Sequence, residues 1–149
     1  FEVPMDEAEA AVAGYLPSNM RSQIIERGSN VIILDAYNAN PSSMQVAVEH
    51  LASLTAPKKV AILGDMFELG EQTDAEHQAL GQQLEHYGFD RVILCGKHMS
   101  EAAKLCSGAL HFNDRESLTK HLTQNPISQS TILIKASRGM GLEKILEVL

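Results

Sequence analysis

Three short runs concentrate the side chains of this chain that can do chemistry. The first is Asp35-Ala36-Tyr37-Asn38-Ala39-Asn40-Pro41-Ser42-Ser43-Met44. The second is Gly64-Asp65-Met66-Phe67-Glu68-Leu69-Gly70, and the third is Lys135-Ala136-Ser137-Arg138. Together they offer carboxylates, amides, a phenol, a hydroxyl and two cations. That inventory suits ligand binding. Two cations and a hydroxyl in one run, within an otherwise acidic chain, make a receptor for a carboxylate. Each run also has a purely structural reading. Asp35 can cap a turn, and Asn38 and Asn40 favour turns on their own. Asp65 and Glu68 can sit in a solvated turn between Gly64 and Gly70. Lys135 can snorkel from a strand end, and Arg138 can pair with an acid such as Glu143. His77 stands between Glu76 and Gln78 and reads first as a surface or packing residue, then as a catalytic one. The remaining histidines, at 50, 86, 98, 111 and 121, show no ligand spacing, which argues against a zinc site.

The motifs that are missing are equally informative. The chain holds no Gly-x-x-x-x-Gly-Lys-Ser/Thr phosphate loop and no Gly-x-Gly-x-x-Gly turn. No Gly-x-Ser-x-Gly elbow or Ser-His-Asp set is evident either. The loops face a ligand without an evident catalytic engine beside them.

The elements that must position these runs follow from periodicity. Short apolar runs, rich in β-branched residues at three of them, predict buried strands at 31–35, 59–64, 91–96 and 131–135, with a weaker one at 109–112. Helical patterns follow at 44–54, 74–87, 99–106, 115–122 and 142–149. A first helix is expected from Met5 to about Leu16, ended by Pro17-Ser18-Asn19, and a short strand at 23–26 before a turn at 27–30. Strands alternating with helices give βαβ units. The expected fold is α/β, a Rossmann-like, doubly wound, mostly parallel sheet with helices on both faces. Ligands of such sheets bind at the carboxyl ends of the strands, where all three runs lie.

Composition narrows the partners. With 149 residues the chain can build one ordinary domain with a real core, and 44% hydrophobic against 21% charged residues argues against disorder. A net charge of −7, with scattered Lys and Arg, disfavours nucleic-acid and anionic-membrane surfaces. No apolar run approaches the ~20 residues of a membrane span. The chain starts at Phe1 with neither an initiator Met nor a signal peptide. Cys95 and Cys106 read as reduced thiols of a cytoplasmic protein.

The three ordered motifs resemble those of the Mur ligases, bacterial ATP-dependent ligases of the cell wall. The similarity covers essentially the whole chain. The Tyr-Asn-Ala-Asn-Pro form at 37–41 is similar to the branch that adds D-Ala-D-Ala. The resemblance implies residues 28–149 as the carboxy-terminal Rossmann-like domain and residues 1–27 as the tail of a central ATPase domain with its hinge. The amino-terminal and central domains of the same protein would be missing partners. It implies ATP and Mg2+ as cofactors of the full-length enzyme, with D-Ala-D-Ala and UDP-N-acetylmuramoyl-tripeptide as substrates. ATP would phosphorylate the tripeptide carboxylate, and the dipeptide amine would attack the acyl phosphate. Residue by residue, it implies Arg21, Asp35, Tyr37 and Asn38 at the nucleotide, Asp35 on the ribose hydroxyls. Lys135, Ser137 and Arg138 would meet the incoming amino donor. Asn40, Asp65, Glu68 and His77 are further candidates, Asn40 as a loop-shaping residue. No metal ligand set is complete in this chain, which is expected to be inactive alone. Ala36 and Ala136 depart from the family pattern, the latter replacing a glycine. Two alternatives stay open: a folylpolyglutamate-synthetase-type ligase domain, and a stand-alone α/β binding module.

Overall fold

The computed structural model describes residues 23–149. Six strands form one sheet: β1 (Gln23–Arg27), β2 (Asn30–Asp35), β3 (Lys59–Gly64), β4 (Arg91–Cys95), β5 (Leu110–Phe112) and β6 (Thr131–Lys135). Four α-helices connect them: α1 (Pro41–Ser53), α2 (Thr73–Tyr87), α3 (Met99–Ala103) and α4 (Arg115–Gln124). The sheet order is β1-β2-β6-β3-β4-β5. All pairings from β2 onward are parallel, and β1 runs antiparallel to β2 at the edge. The expected doubly wound α/β fold is therefore the fold observed.

Alternation along the strands builds two cores. Ile32, Leu34, Val60, Ile62, Ile93, Ile132 and Ile134 point to one face, under α4 and the chain end, with Leu118, Leu122, Leu142 and Ile145. Ala61, Leu63, Val92, Leu94 and Leu133 point to the other, under α1, α2 and α3, with Met44, Val48, Leu51, Leu80, Leu84 and Met99. A strand buried on both faces has no polar side, so it reads as an unbroken apolar run.

The insertion of β6 between β2 and β3 decides where a ligand can bind. The chain leaves β2 and β3 into helices on one face and leaves β6 towards the opposite face. Neighbouring strands whose exits diverge open a crevice outside their carboxyl ends.

Two local expectations change. The expected helix at 99–106 ends at Ala103, and the chain reaches β5 through turns in which Gly108 stands at φ +84. The last helix, Leu142–Val148, is wound as a 3-10 helix. Leu142, Ile145 and Val148 recur every three residues and face the core, a spacing that suits three residues per turn. The boundary expected at 27/28 falls in the turn of the β1–β2 hairpin, whose register pairs Gln23 with Leu34 through Arg27 with Asn30. Residues 23–27 are thus part of the sheet. The helix expected at 5–16, the break at 17–19 and Arg21 lie outside the described residues.

Candidate ligand site at the carboxyl ends of β2, β6 and β3

All three chemical runs lie on this rim. Asp35 ends β2, Gly64 ends β3 and Lys135 ends β6 between them, so the motifs occupy three adjacent strands.

Asp35 and Lys135 are direct register partners on β2 and β6. The Lys135 ammonium donates to Asp35 Oδ2 at 2.8 Å and to the Asn38 carbonyl oxygen at 3.0 Å. Lys135 is 1% exposed, so the snorkelling expectation does not hold: the side chain stays inside and its charge is met there. The Asp35 side chain keeps 21% of its surface exposed, and Oδ1 accepts no hydrogen bond from the described residues. Asp35 lines a groove with a volume of about 530 Å³, which it shares with Ile33, Asn40, Ser43, Val46 and His50. Ala36 and Ala39 are buried on either side of Tyr37 and Asn38, which pins the loop before and after that pair. Asn38 is exposed.

Asn40 has a local role. Its side chain accepts from the Ser43 amide at 2.9 Å, while Ser43 Oγ accepts from the Asn40 amide at 3.1 Å. This reciprocal box, with Pro41 at the first helical position, starts α1 immediately after the loop.

The Arg138 guanidinium sits 5.3 Å from the centre of the Tyr37 ring, joining the third run to the first across the rim. Arg138 is exposed and forms no ion pair with Glu143, whose buried Oε1 finds no hydrogen-bond partner among the described residues. Ser137 is turned inward instead. Its hydroxyl accepts from the Phe67 amide at 2.9 Å, and its own amide donates to the Asp65 carbonyl at 3.1 Å. Ala136 is accommodated because Gly64 opposes it. A methyl group on Gly64 would stand 2.7 Å from Ala136 Cβ, so this pair of positions holds one side chain.

Asp65 is no solvated turn residue. It is 3% exposed, and its two oxygens accept from the His98 amide at 3.2 Å and the Met99 amide at 2.9 Å. It therefore ties the end of β3 to the start of α3, where unpaired amides need an acceptor. Gly96 leaves room for it: Gly96 stands at φ +125, and a side chain there would strike the Asp65 carboxylate. His77 is fully buried. Its Nε2 accepts from the Met66 amide at 3.1 Å, and its Nδ1 meets the Thr73 carbonyl at 2.6 Å, which fixes the proton on Nδ1. His77 thus clamps the second run to α2 and is held away from solvent. Glu68 is exposed, in the left-handed region at φ +65.

Two residues of the rim escape sequence reasoning. Arg115 donates from one guanidinium nitrogen to the Met140 and Gly141 carbonyls, both at 3.2 Å, anchoring the turn that follows Arg138. The signal was its position: a cation in the first turn of α4 opposes the helix dipole and needs another partner. Phe67 lies against Gly139, a contact no local pattern announces.

Among the described residues, no cluster of three His, Cys, Asp or Glu could hold a metal ion, and no helix is long and apolar enough to cross a membrane. The rim can bind hydroxyls, a planar group and an anion.

Comparison with known proteins gives this geometry a context. Residues 20–138 match the family described as "Mur ligase, glutamate ligase domain". The UDP-N-acetylmuramoyl-tripeptide–D-alanyl-D-alanine ligase of Bacillus subtilis is 34% identical over 158 residues, covering 99% of this chain and 34% of that protein. The crystal structure of MurF ligase from Thermotoga maritima, in complex with ADP, superposes with a TM-score of 0.76 at 28% identity, over 91% of this chain and 31% of that one. A bifunctional folylpolyglutamate synthase/dihydrofolate synthase from Yersinia pestis, at 17% identity and TM-score 0.58 over 89% of this chain and 32% of that one, shares the fold alone. The chain spans about a third of the length of the curated relatives it matches. On the matched span, the strand order and the three motifs at its rim, the chain belongs to the Mur ligase family, of which it forms the glutamate ligase domain.

Proposed function

We propose that this chain is the carboxy-terminal domain of the cytoplasmic ATP-dependent ligase that adds D-Ala-D-Ala to UDP-N-acetylmuramoyl-tripeptide in peptidoglycan synthesis. Residues before β1 lead, in this reading, from a central ATPase domain, with Arg21 near the nucleotide. ATP with Mg2+ supplies the phosphoryl group that activates the tripeptide carboxylate. Its phosphate and metal contacts belong to the missing domains, because this chain has no phosphate loop. What this chain contributes is orientation. Asp35 accepts hydrogen bonds from the ribose hydroxyls through its open oxygen, and Tyr37 and Asn38 flank the nucleotide.

Arg138 contacts the carboxylate of D-Ala-D-Ala, for which its guanidinium offers a planar, two-pronged donor. Ser137 and Lys135 frame that contact from the same turn and strand end. Asp65 and His77 hold the turn in place, Asn40 starts the helix behind the loop, and Glu68 remains at the outer rim. The D-alanyl-D-alanine ligases of Bacillus subtilis and Escherichia coli are 34% and 35% identical to this chain and the folylpolyglutamate synthase of Yersinia pestis 17%, so the folylpolyglutamate-type alternative is not favoured.

The observation that carries this reading is the bridge of Arg138 over Tyr37, which places the proposed amino-donor and nucleotide loops side by side. The test is ADP release by the full-length ligase, measured with and without D-Ala-D-Ala. Turnover should require the dipeptide. Turnover that proceeds equally with L-glutamate and a folate acceptor would transfer the chain to the alternative.

A further inference from the structure

The Lys135 side chain does something its place in the third run does not announce. Its ammonium is buried, points along the rim towards β2 and bridges two points of a neighbouring loop: the carboxylate of Asp35 and the main-chain carbonyl of Asn38. Those two contacts lie three residues apart on one loop, so a single cation closes its two ends. The other oxygen of Asp35 accepts no hydrogen bond from the described residues, and the side chain keeps 21% of its surface exposed. A carboxylate on an exposed loop end samples several rotamers, each fixing its oxygens differently. A buried donor on one oxygen selects one rotamer and aims the remaining oxygen outward. The Asn38 bond does the same for the backbone that carries Tyr37.

We infer that Lys135 is a positioning residue for the nucleotide loop: by bridging Asp35 Oδ2 and the Asn38 carbonyl, it presents Asp35 Oδ1 and Tyr37 to the ligand rather than touching the amino donor. This rests on the functional reading above for the identity of the ligand. Its structural half, that Lys135 holds the loop, stands on the geometry alone. The bridge also joins the two binding loops. Lys135 is followed within three residues by Arg138, which covers Tyr37, so one strand and its turn hold the nucleotide loop at Asp35, Tyr37 and Asn38.

Two measurements on the full-length ligase decide it. Hydrogen–deuterium exchange compares peptides spanning 35–40 in Lys135→Met and in the wild type. Steady-state kinetics gives both KM values in Lys135→Met, Asp35→Ala and the double variant. Exchange should rise at 35–40 and remain unchanged in β3 and β4. The ATP KM should rise roughly tenfold with the dipeptide KM within twofold. In the Asp35→Ala background, Lys135→Met should add less than threefold, because it acts through a group already removed. Unchanged exchange at 35–40 overturns the inference. So does a dipeptide KM that rises while the ATP KM stays, or a Lys135→Met effect that persists in full without Asp35. If Lys135→Met fails to fold, Asp35→Asn breaks the same ion pair at its partly exposed end. Exchange at 35–40 should then rise, and unchanged exchange again overturns the inference. A wild type without dipeptide-dependent ADP release is a failure of the functional reading, visible before any variant is made.

Discussion

Two carboxylates end neighbouring segments of the same rim and meet opposite fates. Asp65, after β3, gives both oxygens to backbone amides of α3 and is closed off from solvent. Asp35, at the end of β2, gives one oxygen to a buried lysine, its other oxygen accepts no hydrogen bond from the described residues, and its side chain lines a groove. The first is a strut and the second is an instrument. The difference lies in which element stands behind each. α3 begins close to β3 and presents unsatisfied amides, whereas β2 borders β6, whose only polar offering at that level is one ammonium group. A carboxylate fully consumed by the fold cannot respond to a ligand. One that is half consumed is oriented and still available.

The largest test of that contrast is Asp65→Ala. Two hydrogen bonds to a charged acceptor vanish and a buried amide loses its partner. The loss of stability should be about 3 kcal/mol, a fall in Tm of roughly 5–10 °C. Thermal unfolding followed by circular dichroism reads it. The ATP KM at permissive temperature should move less than threefold. Cooperative unfolding at the wild-type Tm would mean that Asp65 is no strut.

Asp35→Ala should act on the nucleotide. A hydrogen bond to a charged group contributes about 1.5–3 kcal/mol, so the ATP KM of the full-length enzyme should rise roughly ten- to a hundredfold. Its Tm should fall as well, because the buried Lys135 ammonium loses its carboxylate, so it is the ATP KM that separates the two acids. An unchanged ATP KM would erase the distinction between the two acids.

Arg138→Lys comes next, with an expected rise of about fivefold to tenfold in the dipeptide KM, near 1 kcal/mol, since a fork becomes a point donor. ATP KM and Tm should stay close to wild type. A variant that melts early with a normal dipeptide KM would make Arg138 a brace for the turn.

The smallest effect at neutral pH is expected at Cys95, on the Asp65 side of the rim. Burial, followed by the Asp65 and Asp114 carboxylates, pushes this thiol up to about 12 from its ordinary 9.0. The folded chain holds that proton more tightly than the unfolded chain does. Stability is therefore indifferent to Cys95 below pH 9 and declines as pH rises from 9 towards 12. Alkylation at pH 8 should leave the native Cys95 unmodified, as mass spectrometry of the tryptic peptide can show.

Much of this molecule was legible in the order of its residues. The inner strands β2, β3, β4 and β6 were recognisable because a strand covered on both faces is apolar at nearly every position, whereas the edge strands β1 and β5 gave weaker signals. In the structure Asp114, Asn40 with Pro41, and Gly88 bound their helices by local chemistry. The three motifs named the family, and the rule for parallel sheets placed them at the carboxyl ends of strands. Local sequence could not assign the partners. Asp35 and Lys135 are a hundred residues apart and become register neighbours only because β6 enters between β2 and β3. Asp65 meets the amides of residues 98 and 99, and Arg115 meets carbonyls at 140 and 141, through the same non-local packing. Side-chain type says which bonds a residue can make. Only the arrangement of the strands decides which partner comes within three ångströms, and so which acid is used up by the fold and which is left for a ligand.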